Sequence, residues 1–340
     1  MVTYRRQLAA LLVTLQIGWV APAAQAPAAL QVNIVEWDVP QGKLAFVPHD
    51  PDVAPDGGAW YTGYGANVLG RVDPASGQVK EFSLPTADSG PHGLTIDPQG
   101  HVWYTGNRAA LIGRLDPATG KVTEYRMPDP QARDPHTPIL GKNGTLWFTV
   151  QSGNYVGRLD TASGAVTLKQ VATPKAMPHG IILTRADIPF FALSGTNKIG
   201  RINPQSMDIT EFTLPEGARP RRLAVAAGDF IWYGDSARGM LGRLDPNTGS
   251  VKEWATPGGP KSAPWGVAST PDGAIWYSES GVTPNTVVRF DPRTEATQSW
   301  PIPSGGGVVR HMVASRDGSL WLACSGVGKV AHVRVSASRP

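Results

Sequence analysis

The sequence has little cysteine and little charge. Cys324 is the one cysteine among 340 residues, so the chain can form no internal disulfide and must fold by packing and hydrogen bonding. We expect Cys324 to be a small buried residue, because no neighbouring Cys-His pattern marks it as a nucleophile. Charged residues make up 17% of the chain, and its Lys and Arg residues form no long run. This argues against a groove that tracks nucleic-acid phosphates.

Long apolar runs are also scarce, and the clearest one lies near the amino terminus. Residues 8–20 are mostly apolar, follow Arg5 and Arg6, and precede the small-residue segment 21–26. This order is typical of a secretory signal peptide, and its apolar part is short for a membrane span. We predict a signal peptide over residues 1–26 and a folded domain over residues 30–340, in a periplasmic or secreted protein without a membrane span after cleavage. A non-cleaved anchor is the alternative.

Glycine and proline, in contrast, are abundant, with 39 and 31 residues. They are dispersed among aliphatic and aromatic residues, which excludes collagen and low-complexity disorder and favours a turn-rich all-β fold. A unit that begins Pro91-His92-Gly93 recurs along the chain. Its opening positions, 42 to 46 residues apart, are His49, His92, His136, His179, Arg221, Trp265 and His311.

The last of these seven units leaves its opener ambiguous. A large aromatic residue follows each of the first six openers by eleven residues, as Trp103 follows His92. Trp321 follows His311 by only ten residues. Either the last unit is one residue shorter, or Arg310 is its opener.

The repeat predicts the fold. Each unit holds four short segments with strand-like alternation, separated by turns such as Asp56-Gly57. Seven four-stranded units predict an all-β, seven-bladed β-propeller. The last unit lacks a fourth strand, whereas residues 34–40 carry the fourth-strand pattern ahead of the first opener. We therefore predict that the N-terminal strand completes the last blade and closes the ring.

The openers carry the candidate chemistry, because the first strand of each propeller blade lines the central channel. Neutral imidazoles that converge there can bind a metal or act as bases, and the alternative is that each His only pins its loop. Asp134, two residues before His136, can orient that ring. Arg221 and Arg222 of the fifth unit and Arg310 of the seventh can meet an anionic group, or they are simply solvated at the surface. The predicted ligand-binding residues are His92, His179, Arg221, Trp265 and Arg310.

The units around His92 and His179, with their Trp-Tyr and Ile-Gly-Arg segments, resemble the virginiamycin B lyase family of seven-bladed propellers. The resemblance covers residues 34–335. It implies a carbon-oxygen lyase that opens an ester-containing cyclic substrate by removing the proton α to the carbonyl. It also implies Mg²⁺ as a cofactor and a His that transfers the proton.

This resemblance assigns the candidate catalytic residues. His311 corresponds to the catalytic His of the family's last unit, and His136 with Asp134 is the nearest internal imitation of that arrangement. The chain departs from the family elsewhere: Trp265 replaces a second His, while Val309 and Cys324 replace two Glu residues.

Two functions follow from these residues. The first is an exported lyase that acts on a small molecule at the channel mouth. The alternative is a non-catalytic propeller of the same family that binds a ligand or protein there. A Ca²⁺-dependent lactonase is disfavoured by seven units and scarce axial carboxylates. We expect a monomer with a small-molecule ligand in the channel and no nucleic-acid partner.

Overall fold

The computed structural model describes residues 30–40 and 47–337, and the predicted signal peptide lies outside them. These residues form seven antiparallel sheets of four strands each, which confirms the predicted seven-bladed propeller. Within the described residues the one helical segment is a short 3₁₀ turn, η1 (Ala227–Asp229). That part of the chain contains no helix with the length and hydropathy needed to cross a membrane.

The strands follow in chain order around the ring, and β1 (Leu30–Asp38) belongs to the last blade. Blade 1 contains β2 (Pro51–Val53), β3 (Ala59–Gly63), β4 (Val68–Val72) and β5 (Val79–Ser83). Blade 2 contains β6 (Pro91–Ile96), β7 (Val102–Gly106), β8 (Leu111–Leu115) and β9 (Val122–Arg126). Blade 3 contains β10 (Pro135–Leu140), β11 (Thr145–Val150), β12 (Tyr155–Asp160) and β13 (Val166–Gln170).

The second half of the ring repeats this order. Blade 4 contains β14 (Pro178–Leu183), β15 (Pro189–Leu193), β16 (Lys198–Ile202) and β17 (Ile209–Thr213). Blade 5 contains β18 (Pro220–Val225), β19 (Ile231–Asp235), β20 (Met240–Leu244) and β21 (Val251–Ala255). Blade 6 contains β22 (Pro264–Ser269), β23 (Ile275–Glu279), β24 (Thr286–Phe290) and β25 (Thr297–Pro301). Blade 7 contains β26 (Val309–Ala314), β27 (Leu320–Cys324) and β28 (Lys329–Ala337), with β1 at its outer edge.

The ring closes through its two ends, as predicted. β1 pairs with β28 over nine residues, from Leu30 opposite Ala337 to Asp38 opposite Lys329. Trp37 of β1 stacks on Trp321 with ring centroids 5.5 Å apart, so the join also buries aromatic surface. β28 is therefore not left as an unpaired outer edge of the last blade.

The repeated aromatic residues form the packing between strands. The large aromatic residue of each second strand, Phe190 in blade 4 and Trp in the others, is buried. In most blades it stacks on an aromatic residue of the fourth strand, as Trp103 does on Tyr125 at 5.9 Å. The residue after this Trp points to the opposite face of the sheet. In blade 2 that residue is Tyr104, which lies opposite Gly113 and donates a hydrogen bond to Glu124 at 3.2 Å. A Cβ on Gly113 would lie 2.1 Å from the Tyr104 ring, which explains the glycine in the Ile-Gly-Arg segment.

Candidate functional site

A β-bulge at the start of the first strand aims the opening residues at the channel. In blade 3, Pro135 pairs with Val150 and Pro138 with Phe148, so one extra residue lies on β10. The same register shift occurs in blades 2 to 7, directly at the opener and the residue after it. Bulges re-aim side chains next to functional sites. In these six blades the first strand thereby presents two consecutive residues toward the axis.

Hydroxyl groups of the second strands fix these bulges to the preceding blade. Thr62 donates to the carbonyl of His92 at 2.6 Å, and Thr105 donates to that of His136 at 2.8 Å. Thr149 donates to the carbonyl of His179 at 2.5 Å. Each opener in this part of the ring is therefore held by its neighbouring blade as well as by its own strand.

The strand register identifies the opener of the last blade as Arg310. Val309 pairs with Cys324, just as Pro264 pairs with Glu279 one blade earlier. His311 therefore takes the position after the opener, and Arg310 precedes Trp321 by the usual eleven residues. The match of His311 with the family's catalytic His assumed that His311 is the opener of the last unit, which the strand pairing does not support. The catalytic role of His311 stays a prediction.

The openers of the first four blades form an arc of imidazoles. The ring centroids of His49 and His92 are 3.9 Å apart, those of His92 and His136 are 3.8 Å apart, and those of His136 and His179 are 4.1 Å apart. All four side chains are buried. They line one wall of a cavity of about 170 Å³, which we call the upper cavity.

The opposite wall of the upper cavity is cationic and aromatic. Arg221 and Arg310 both lie over the Trp265 ring, with guanidinium carbons 4.2 and 4.9 Å from its centroid. The predicted ligand-binding residues thus all line this cavity, together with His49, Gln151 and Arg222. A second cavity of about 250 Å³ shares His49, His92, Gln151 and Arg310 with it and adds Tyr64, Asn107 and Asp134.

Below the upper cavity, four residues that follow openers form a polar layer, in which Asp50, Thr137 and Arg222 are buried and His311 is partly exposed. Arg222 crosses the channel and donates from Nη2 to both carboxylate oxygens of Asp50 at 2.7 Å, and from Nη1 to Thr137 Oγ1 at 2.9 Å. His311 Nδ1 lies 3.3 Å from Asp50 Oδ2. The corresponding residues of the other three blades are glycines: Gly93, Gly180 and Gly266.

This polar layer also contacts the imidazole arc. His49 Nδ1 lies 3.0 Å from Asp50 Oδ1, and His136 Nδ1 lies 2.9 Å from Thr137 Oγ1. The predicted meeting of cations with an anion therefore occurs inside the protein for Arg222, whose partner is Asp50. Arg222 is buried rather than solvated.

Burial controls the protonation of the site. It lowers the pKa of His92, His136 and His179 well below the ordinary value, with neighbouring rings and Arg222 adding to the effect. The pKa of His49 is lowered by burial too, against the opposing hydrogen bond to Asp50. Burial alone would raise the pKa of Asp50, but the charge of Arg222 brings it well below its usual range. The arc is therefore neutral at pH 7, and Asp50 is ionised.

One expectation from the sequence was wrong in geometry. Asp134 does not orient His136: its carboxylate accepts hydrogen bonds from Asn107 and from Ser152, the latter at 2.7 Å, while the His136 ring contacts Thr137. Burial raises the pKa of Asp134 to about 6. His92 and His136 are 8% and 3% exposed, so solvent has little access to either ring.

The opposite ends of the same first strands open into a wider funnel. Its two cavities, of about 1100 and 630 Å³, share Leu140, Lys142, Ala314, Ser315 and Arg316. The polar layer of Asp50 and Arg222 lies between this lower funnel and the upper cavity. The upper cavity, with its convergent imidazoles and guanidiniums, is the better candidate site.

The sequence held a signal for the residues that were missed. Asp50 and Thr137 stand where the Pro-His-Gly unit has glycine, as does Arg222, which was expected to meet an anion, and this departure marks side chains that occupy the axis. Gln151 directly follows a second strand, at the position of Tyr64 and Asn107 in the preceding blades. The residue directly after the second strand recurs in every blade, so a comparison of the seven units at this position could have found these side chains.

The residues present do not suit Mg²⁺, which prefers several oxygen ligands. His49, Asp50 and His92 offer donor atoms within 4.8 Å of one another, but both Asp50 oxygens already accept hydrogen bonds from Arg222. The upper cavity otherwise presents imidazoles, guanidiniums, the Trp265 ring and one amide, that of Gln151, and guanidiniums repel a cation. Neither Val309 nor Cys324 supplies a carboxylate.

Comparisons with known proteins agree with this architecture. A solved streptogramin B lyase structure superposes with a TM-score of 0.80 at 25% identity, covering 90% of this chain and 98% of that one. Virginiamycin B lyase from Staphylococcus aureus, in selenomethionine form, gives a TM-score of 0.80 at 26% identity, covering 89% and 99%. A catalytically inactive variant of the S. aureus enzyme, with quinupristin, gives 0.79 at 26% identity over the same shares.

A more distant propeller shares the fold alone. The extracellular domain of a one-component system from B. thetaiotaomicron is 16% identical, with a TM-score of 0.67, and the match covers 91% of this chain and 43% of that one. No curated protein matches the sequence.

The sequence matches the Virginiamycin B lyase family over residues 29–248 and 191–338, which together include the whole propeller. The chain therefore belongs to the virginiamycin B lyase family.

Proposed function

We propose that this propeller binds a small anionic molecule in the upper cavity. The observation that carries the proposal is the pair Arg221 and Arg310, which flank Trp265 beside a wall of neutral imidazoles. Guanidiniums are the preferred partners of carboxylate and phosphate groups, and Trp265 offers a face for the apolar part of a ligand.

The electrostatics of Arg221 support an anion. Burial lowers the pKa of Arg221, and the charges of Arg310 and Arg222 lower it further. Its side chain donates to Ser236 Oγ at 3.1 Å, and among the described residues no carboxylate lies within salt-bridge distance of it. A partly buried cation that faces other cations is costly, and an anionic ligand would remove that cost.

The test is calorimetric titration of the full chain with inorganic phosphate and with succinate at low ionic strength. We expect binding to both, and at least a tenfold loss of affinity in Arg221→Gln. Arg126→Gln is the matched control, because Arg126 is exposed on β9 at the outer edge of blade 2. Equal affinities of wild type and Arg221→Gln would refute the proposal.

A second candidate is elimination chemistry at the same cavity. Two observations favour it: the chain is 25–26% identical to streptogramin lyases over nearly its whole length, and Asp50 holds the imidazole of His49. A neutral imidazole oriented by a carboxylate is a suitable general base. In such a reaction His49 Nε2 would take the proton α to the carbonyl, and the C–H electrons would form a C=C bond to the β carbon. The ester oxygen on that carbon would leave as a carboxylate with the electrons of the broken C–O bond.

This candidate is tested with quinupristin, the molecule that accompanies the inactive S. aureus variant. Mass spectrometry of the incubated compound separates the linear product from the ring. Ring opening that is lost in His49→Phe and unaffected by EDTA would support elimination by the imidazole arc. If quinupristin stays intact after prolonged incubation while the protein still binds anions, the elimination candidate is refuted and only the binding function remains.

A further inference from the structure

The hydrogen bonds behind the imidazole arc determine which nitrogen of each ring carries the proton. In His49 the partner of Nδ1 is Asp50, whose ionised oxygens can only accept hydrogen bonds. His49 Nδ1 must therefore carry the proton. Because the ring is neutral, Nε2 keeps its lone pair, and His49 presents a hydrogen-bond acceptor to the upper cavity.

His136 has the opposite arrangement. Thr137 Oγ1 accepts a hydrogen bond from Arg222 Nη1, so its own hydroxyl proton must go elsewhere. Within the described residues the acceptor that remains within reach is His136 Nδ1, at 2.9 Å. A ring that accepts at Nδ1 carries its proton on Nε2. His136 therefore presents a donor to the upper cavity.

The remaining two rings carry their proton on the same nitrogen as His136. His92 and His179 are each followed by glycine, so no side chain at that position reaches their Nδ1 atoms. Both Nδ1 atoms are buried and have no hydrogen-bond partner within the described residues. A buried N–H without an acceptor is rarer than a buried bare acceptor, which puts the protons on Nε2. Together with Arg221 and Arg310, the cavity then presents many donors and a single imidazole acceptor.

We propose that the ligand of the upper cavity is a hydroxycarboxylate: an anion with a hydroxyl group beside its carboxylate. The carboxylate oxygens accept from the guanidiniums and from Nε2–H of His136, while the hydroxyl donates to Nε2 of His49. The inference rests on the proposed anion-binding function and specifies the class of anion. His49, which belongs to the blade next to Arg310, is the residue that selects the hydroxyl.

The proton positions can be measured without any ligand. Long-range ¹H–¹⁵N correlation spectra of the full chain with labelled histidine distinguish a ring protonated on Nδ1 from one protonated on Nε2. At pH 7 we expect His49 to carry its proton on Nδ1, and His92, His136 and His179 to carry it on Nε2. The same protonated nitrogen in His49 and His136 would overturn the inference.

Ligand selection is tested with malate and succinate, which differ by one hydroxyl group. In calorimetric titrations of the full chain we expect malate to bind about tenfold more tightly, as one hydrogen bond to a buried polar group allows. His49→Phe should remove this preference. His136→Phe is the matched control: it removes a donor and should weaken both acids while the ratio is kept.

The outcomes separate the two proposals. Equal affinities for malate and succinate, with both still dependent on Arg221, would overturn the hydroxycarboxylate inference and keep the anion site. Failure of both acids and of phosphate to bind would overturn the anion site itself. If the Phe variants do not fold, the spectra and the wild-type malate-to-succinate ratio still decide the inference.

Discussion

Arg222 of the fifth blade and Asp50 of the first blade form an ion pair across the propeller axis. Both side chains are buried, at 2% and 0% exposure, and Nη2 lies 2.7 Å from each carboxylate oxygen. Breaking a buried pair leaves an uncompensated charge, whereas replacing both partners with apolar residues is often tolerated.

Asp50→Leu should therefore lower the free energy of unfolding by about 3–5 kcal/mol. The double variant Asp50→Leu/Arg222→Met should recover most of that loss, and urea unfolding measures both. The control is Lys252→Gln, which breaks an exposed pair between Lys252 on β21 and Glu295 in the turn before β25, and it should hardly change the urea midpoint. A double variant as unstable as the single one would show that the pair contributes more than charge compensation.

Stability should fall as the pH is lowered below about 6.5, the ordinary pKa of His. The pKa values of the buried arc are lowered in the folded state, so the unfolded chain binds protons there that the folded chain does not. Each such ring contributes a slope of about 1.4 kcal/mol per pH unit while only the unfolded form is protonated. The depressed pKa of Asp50 acts in the same direction below about pH 3.8.

Urea midpoints at pH 7, 6 and 5 measure this slope. His179→Phe should reduce it by the contribution of one ring, because it deletes one titrating group. A midpoint that stays constant from pH 7 to pH 5 would contradict neutral burial of the arc.

Gly113→Ala should destabilise blade 2 by about 1–3 kcal/mol, because the added Cβ meets the Tyr104 ring at 2.1 Å. Blade 7 suggests the rescue: there, Ala331 lies opposite Leu322. The double variant Gly113→Ala/Tyr104→Leu copies that pair and should be more stable than the single variant. Thermal unfolding of the two variants checks the order, and the reverse order would be evidence against the steric explanation.

Deleting residues 1–38 should strongly lower the melting temperature, because β28 then loses its partner over nine residues. Deleting residues 1–29 keeps β1 and is the matched control. Equal melting temperatures of the two truncations would contradict closure by this strand.

Magnesium should bind weakly and should not promote quinupristin opening, because Trp265, Val309 and Cys324 supply no carboxylate. Calorimetric titration with MgCl₂ measures the first point, and product analysis with and without EDTA measures the second. Efficient turnover that EDTA abolishes would show that the site assembles oxygen ligands from residues outside the cavity described above.

The sequence predicted the fold more completely than the site. Spacing alone indicated the blades, their Trp residues and the strand that closes the ring, because these features repeat in every unit. The polar layer does not repeat. Its residues meet because three blades carry glycine at this position and the other four carry Asp50, Thr137, Arg222 and His311, which come together across the axis. Such contacts depend on blade order in three dimensions, and no local spacing reports them.

The last blade is assembled from the first and last strands of the propeller, and this affects how the protein can fold during synthesis. β1 leaves the ribosome before any blade is complete, yet its partner β28 is made nearly 300 residues later. Blades 1 to 6 contain only neighbouring strands and can form in order as the chain emerges. The nascent chain must therefore carry β1 as an unpaired strand until β28 has been synthesised, so a period of exposure to chaperones is inherent in this topology.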